Sequence, residues 1–131
     1  MRIIYPTPEK IVQYNKVLLE EIKIKKTDQP KILSYAKLNE TIRICKAFKG
    51  NIYDKASCLL IELVQKHVFA SGNRRTAIFT VLSFLKNNNM KTEIKDNPKH
   101  ARILTGVREG FYTHEEIKNW MNYGKIRKFK R

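Results

Sequence analysis

Apolar residues recur at helical spacing along nearly the whole chain. After Thr7 and Pro8, a capping residue followed by a proline suited to the first helical position, Ile11, Val12, Leu18, Leu19 and Ile22 predict a long helix over about residues 8–26. The period lapses around Asp28-Gln29-Pro30, and the short apolar stretch Ile32-Leu33-Ser34-Tyr35 is the one region that reads as extended or hairpin-like. Asn39 is suited to cap a helix carrying Ile42, Cys45 and Phe48 and stopped by Gly50. Asp54 is suited to cap the next, which carries Ala56, Leu59, Leu60, Leu63 and Val64 and ends near His67.

A helix over about 73–87 follows, with Ala77, Ile78, Phe79, Val81, Leu82, Phe84 and Leu85 apolar nearly all round, so it belongs in the middle of a bundle. Asn87-Asn88-Asn89 end it, and Met90 to Asp96 read as a loop or short extended piece. Two smaller helices close the chain. The first has Asn97 as cap, Pro98 at its opening and Gly110 past its end; the second has the capping box Thr113 to Glu116, then Ile117, Trp120 and Met121, then Gly124. No period of repetition is present. The pattern predicts an all-α bundle in one domain over residues 1–131, with a short β-hairpin as its only β-structure.

Composition adds limits. With 131 residues, 42% of them hydrophobic, and only 5 Gly and 4 Pro, the chain can bury roughly two thirds of its unfolded surface in one core. Its longest nearly apolar run, Ala77 to Leu85, is far short of the roughly 20 residues a membrane span needs. No apolar stretch of signal-peptide length precedes Pro6 and Pro8, so a cytoplasmic location without a membrane partner is expected. Cys45 and Cys58 each sit in an amphipathic segment and read as small buried residues, not as a disulfide or metal pair.

Lys and Arg number 27 against 12 Asp and Glu, a formal net charge of +15. Such a surface attracts anions, and that attraction weakens as salt rises. The densest basic block, Lys125-Ile126-Arg127-Lys128-Phe129-Lys130-Arg131, reads as a solvated terminus. No helix-turn-helix or aromatic platform accompanies the charge, so nucleic acid is not the primary partner expected.

The chemistry concentrates in His67-Val68-Phe69-Ala70-Ser71-Gly72-Asn73-Arg74-Arg75-Thr76, which joins one helix end to the start of the most apolar helix. A helix N-terminus exposes unpaired N–H groups and the positive end of its dipole, and here a glycine and two arginines stand at that point. Those parts make an anion site, most naturally for phosphate. Arg74 and Arg75 can add bidentate charge-assisted hydrogen bonds, and His67 can take a proton from a hydroxyl beside the phosphate. The bland alternative is a histidine bonded to a helix-end carbonyl and two solvated arginines. His100 and His114, at surface helix starts, form no ligand cluster with His67, and no zinc site is expected.

The segment resembles the signature of the Fic/Doc (Fido) family, H-x-F-x-[D/E]-x-N-[G/K]-R, and its ending Asn73-Arg74-Arg75-Thr76-Ala77 is similar to the N-K-R-T-A of the Doc, or death-on-curing, toxins. The likeness extends upstream to Tyr53-Asp54-Lys55-Ala56 and downstream through Phe84-Leu85 to Glu115-Glu116-Ile117-Lys118-Asn119-Trp120, so it is strongest over about residues 50–124. It implies a toxin that transfers phosphate, or less readily AMP, from ATP or another nucleoside triphosphate to a hydroxyl of a target protein. An elongation factor is the implied target and a small antitoxin the implied partner. His67 would be the general base, Phe69 the packing anchor of the loop, and Ser71, Gly72, Asn73, Arg74 and Arg75 the phosphate cradle, Arg75 also acting in catalysis. Fic-type members carry Gly where Arg74 stands and transfer AMP; Doc-type members carry Lys there and move the γ-phosphate.

Ser71 departs from the pattern. The family places Asp or Glu there to bind Mg²⁺, and a serine hydroxyl brings no charge and is a weaker ligand for a hard cation. No acidic residue occurs between Glu62 and Glu93. A second expectation is therefore a degenerate Fido scaffold that binds nucleotide or protein without the metal chemistry. Two further likenesses are minor. Thr105-x-x-x-Glu109-Gly110 fits the short [S/T]-x-x-x-E-[G/N] pattern of an inhibitory helix, though a plain helix end is the stronger reading. The stretch Ile32 to Leu38 matches the place of the family's target-binding flap, where Tyr35 is a candidate to line the cleft.

Overall fold

A computed structural model of the chain describes residues 2–22, 31–94 and 97–130. Among these, six α-helices follow the predicted order: α1 (Pro8–Ile22), α2 (Tyr35–Ala47), α3 (Ile52–Gln65), α4 (Asn73–Asn87), α5 (Ala101–Arg108), preceded by a 3-10 turn (Pro98–His100), and α6 (His114–Tyr123). No helix among the described residues is long and apolar enough to cross a membrane. The fold is all-α, as the pattern predicts.

Helices α3 and α4 form the centre. α3 packs against α2, α4, α5 and α6, and α1 lies along α4. Leu59, Leu60, Ala77, Val81 and Leu85 are completely buried between them, each of the larger ones stabilising the fold by about 1.5–3 kcal/mol relative to exposure. Both thiols lie in this core and are free; burial pushes Cys45 up to about 12 and Cys58 to about 11, which leaves them unreactive near neutrality.

Several boundaries differ from expectation for local reasons. The hairpin expected over Ile32–Leu38 divides: Ile32 pairs with Phe69 in an isolated antiparallel bridge, whereas Tyr35 onward is already α2. Ser34, not Asn39, caps that helix by accepting from Lys37 N. Asn51 caps α3, and Asp54 is the reciprocal member of its capping box. Residues 23–26 of the predicted first helix and the lapse around 28–30 lie outside the described residues.

The basic terminus is also not simply solvated. Phe129 is buried, its carbonyl accepts from Arg102 Nε at 3.1 Å, and Tyr112 Oη donates to Arg127 O at 3.0 Å. The Arg127 guanidinium bonds Glu116, donates to Phe111 O at 2.8 Å and lies 4.0 Å over the Phe111 ring. Apolar Phe129 and a bidentate arginine within the basic block anchor it across α5 and α6.

Two polar side chains tie distant backbone together. Asn88, buried after α4, accepts from Ile4 N and donates to Ile4 O, each at 2.8 Å, which pins the N-terminal segment. Lys55, buried on α3, donates from Nζ to the carbonyls of Cys45, Lys46 and Phe48 and so satisfies the C-terminus of α2.

Candidate functional site

Helix α4 begins immediately after a left-handed residue. Gly72 occupies its N-cap with φ of +75° and offers no side-chain cap. A Cβ there would stand 3.1 Å from Leu19 Cδ2 and 3.3 Å from Asn15 Nδ2, so both the backbone conformation and the space favour glycine. Thr76 N closes the first turn onto Gly72 O at 2.9 Å.

Asn73 holds the loop from within. Its Oδ1 accepts from Phe69 N at 2.9 Å and its Nδ2 donates to Phe69 O at 2.7 Å. These two bonds fix the amide's orientation, and its remaining N–H faces His67 Nδ1 at 3.3 Å. His67 has φ of +52°, an unusual conformation for a residue with a Cβ, which turns the chain sharply after α3. Phe69 is buried in the core cluster and anchors the loop.

The loop is braced from two other sides. Lys31 O accepts from Ala70 N, and Val68 O accepts from Leu33 N at 2.8 Å, so the segment before α2 runs beside the motif. From α1, Asn15 Nδ2 donates to Ser71 O at 2.9 Å and to Thr76 Oγ1 at 3.0 Å. Asn15 was not singled out by the sequence pattern, although it stands on the buried face of Ile11, Leu18 and Leu19, where a polar residue needs a partner.

A cavity of about 390 Å³ opens at this point. His67, Ser71, Gly72, Asn73, Arg74 and Arg75 all line it, so the structure brings the predicted site residues together, with Phe69 packed behind them. Val64, Ile78 and Leu104 supply apolar lining, and Asn97, His100 and Arg108 further polar groups. His100, separated from His67 on sequence grounds, thus shares its cavity, with its ring edge-on to Trp120 at 5.2 Å between centroids. His114 lies elsewhere, against Phe48 and near Asp54, and burial lowers its imidazole despite that carboxylate. Tyr35 is exposed at the start of α2.

Helix α5 contacts the motif through Thr105, whose Oγ1 accepts from Arg74 Nη1 at 2.7 Å while donating to Ala101 O. Glu109 closes α5 as its C-cap. The Thr105 half of the short Thr105–Glu109 pattern is therefore a tether for Arg74.

A family model, the Fic/DOC family, matches residues 2–85, from the N-terminal segment through α4 and the whole His67–Arg75 loop. The chain belongs to the Fic/DOC family. That family generally transfers nucleotide-derived groups to proteins. No curated protein matches the chain.

The metal of the Fic/DOC family's chemistry finds little to hold it here. No carboxylate is among the described residues lining the cavity, and among the described residues no three His, Cys, Asp or Glu side chains come together to hold a metal ion. A hard divalent cation calls for several oxygen ligands, usually with carboxylate charge. The Ser71 hydroxyl among arginines does not fit a resident Mg²⁺.

Proposed function

We propose that this Fic/DOC protein binds a nucleoside triphosphate in the cavity at the start of α4 and transfers its γ-phosphate to a hydroxyl of another protein. The observation that carries the reading is the convergence of His67, Asn73, Arg74 and Arg75 on one cavity at an α-helix N-terminus. Arg74, a long cation where AMP-transferring relatives carry Gly, favours phosphate transfer over nucleotidyl transfer. In the proposed step the target hydroxyl oxygen bonds to the γ-phosphorus while the bond from that phosphorus to the β–γ bridging oxygen breaks. The hydroxyl proton passes to His67, and the nucleoside diphosphate leaves. Positioning and charge neutralisation carry most of such catalysis. By family resemblance, a translation elongation factor is the target we propose and a small antitoxin the partner.

The second reading, a phosphate-binding scaffold without transfer, is favoured by one specific contact. Because Phe69 fixes the Asn73 amide, its N–H is aimed at His67 Nδ1, so a neutral imidazole accepts there and carries its own proton on Nε2. Nε2–H donates to an anion and accepts nothing. Transfer therefore requires the exposed ring to turn off Asn73, a contact of 3.3 Å that is long enough to release.

Incubation with γ- and α-labelled ATP, Mg²⁺ and cell lysate separates the readings, with His67→Ala as blank and Ser71→Asp beside the natural chain. Label on a target from γ-labelled ATP, lost in the blank, establishes phosphotransfer; label from the α position redirects the reading to nucleotidyl transfer. Label from Ser71→Asp alone leaves the natural chain a binding scaffold.

A further inference from the structure

We propose that the cavity binds the phosphates of its ligand without a divalent cation, with Arg108 supplying positive charge from α5. The inference rests on the nucleoside triphosphate reading of the same cavity and concerns how the charge of that ligand is neutralised.

Three guanidiniums line the cavity: Arg74 and Arg75 on the first turn of α4, and Arg108 on the last turn of α5. They are not independently placed. Arg74 Nη1 bonds Thr105 Oγ1, and Thr105 and Arg108 are three residues apart on α5, which makes them neighbours on one helix surface. The tether therefore fixes Arg74 against the helix that carries Arg108. Like charges that line one cavity repel, and an anion bound between them removes that repulsion. A divalent cation has the opposite effect. It would meet Arg74 and Arg108 and, among the described lining residues, no carboxylate. The same arrangement that attracts a polyphosphate repels free Mg²⁺. Exposed Arg108 has the planar fork that pairs with phosphate oxygens in a bidentate manner.

The test is calorimetric titration of the full chain with ATP, and separately with inorganic tripolyphosphate, in matched ionic strength with either Mg²⁺ or EDTA. The expected result is ATP binding in EDTA within about threefold of that in Mg²⁺, since no protein ligand for the metal is lost. Arg108→Ala is expected to weaken binding in EDTA by roughly ten- to a hundredfold, the range for a hydrogen bond to a charged group. Arg108→Lys should recover most of the loss, and Lys128→Ala, at an exposed lysine that does not line the cavity, should bind like the natural chain. ATP binding that requires Mg²⁺ overturns this inference and leaves the nucleotide reading standing. Tripolyphosphate binding in EDTA without ATP binding does the reverse. Silence from both ligands in both buffers overturns both, and undiminished binding by Arg108→Ala removes Arg108 from the site.

Discussion

Asn15 Nδ2 on α1 stands 2.9 Å from Ser71 O and 3.0 Å from Thr76 Oγ1, so one buried amide spans the turn into α4 from both sides. A helix with no group among the described residues that line the cavity thereby braces the turn at its edge. Asn15→Ala takes the donor from the part-buried Ser71 carbonyl and the buried Thr76 hydroxyl, and a stability loss of about 1–3 kcal/mol is expected in urea unfolding. Binding of ATP at a temperature where the variant is fully folded should fall as well. A variant as stable as the natural chain would show that Asn15 is not a brace.

Asn73 is a stronger determinant because it makes both backbone bonds to Phe69. Asn73→Ala frees the Phe69 peptide, and a loss of roughly 2–4 kcal/mol is expected for two broken, partly buried hydrogen bonds. Asn73→Asp keeps the acceptor for Phe69 N but faces Phe69 O with an oxygen, so it should rescue little. Recovery of native stability by the aspartate would contradict the donor role of Nδ2.

Lys55 offers a contrast, since its three carbonyl partners lie at the end of α2, remote from the motif. Lys55→Met preserves the length of the side chain and removes the ammonium. Thermal unfolding should report a loss of about 1–3 kcal/mol, with ATP affinity of the folded protein unchanged. Altered affinity at full folding would tie Lys55 to the site and refute a purely structural part.

Much of this organisation was legible from residue pattern. The bounds of α4, from Asn73 to Asn87, and the capping box Thr113–Glu116 match the sequence reading, because a glycine, an asparagine triplet and a reciprocal cap are local signals. The loop's residues were equally visible as one cluster, and they do line one cavity. What escaped is non-local. Ser34 supplanted Asn39 as a cap because tertiary pairing of residues 31–34 with 68–70 ends the extended segment just before it. Arg108 and His100 reach the cavity only through the docking of α5, which no spacing in the chain encodes. The tail's described basic side chains are exposed as its composition suggests, while burial of its single phenylalanine, which charge does not reveal, decides where it lies.

The tail also titrates. Hydrogen bonding to Arg127, then to Thr113 N, holds the Glu116 carboxyl down at about 2 from an ordinary 4.5. Because the folded-state value is the lower one, this contribution to stability is complete above about pH 4.5 and is lost as pH falls toward about 2. Solvent screening keeps it under about 1 kcal/mol. In Arg127→Ala, carboxyl titration followed by NMR should move up toward 4.5, with looser packing of Phe129. An unchanged midpoint would mean that the pair does not persist in solution.

The pinning of Ile4 by Asn88 has a consequence for the order in which the molecule is assembled. Chain synthesis delivers Ile4 and Asn15 first, yet the groups that receive them, Asn88, Ser71 and Thr76, emerge some dozens of residues later. Contacts so far apart in sequence close late in folding. The partners of the His67–Arg75 loop, Asn15, Lys31 and Leu33, are therefore already synthesised when the loop emerges, whereas Ile4 waits for Asn88. The two ends of residues 4–88 thus join only after the loop and α4 are complete.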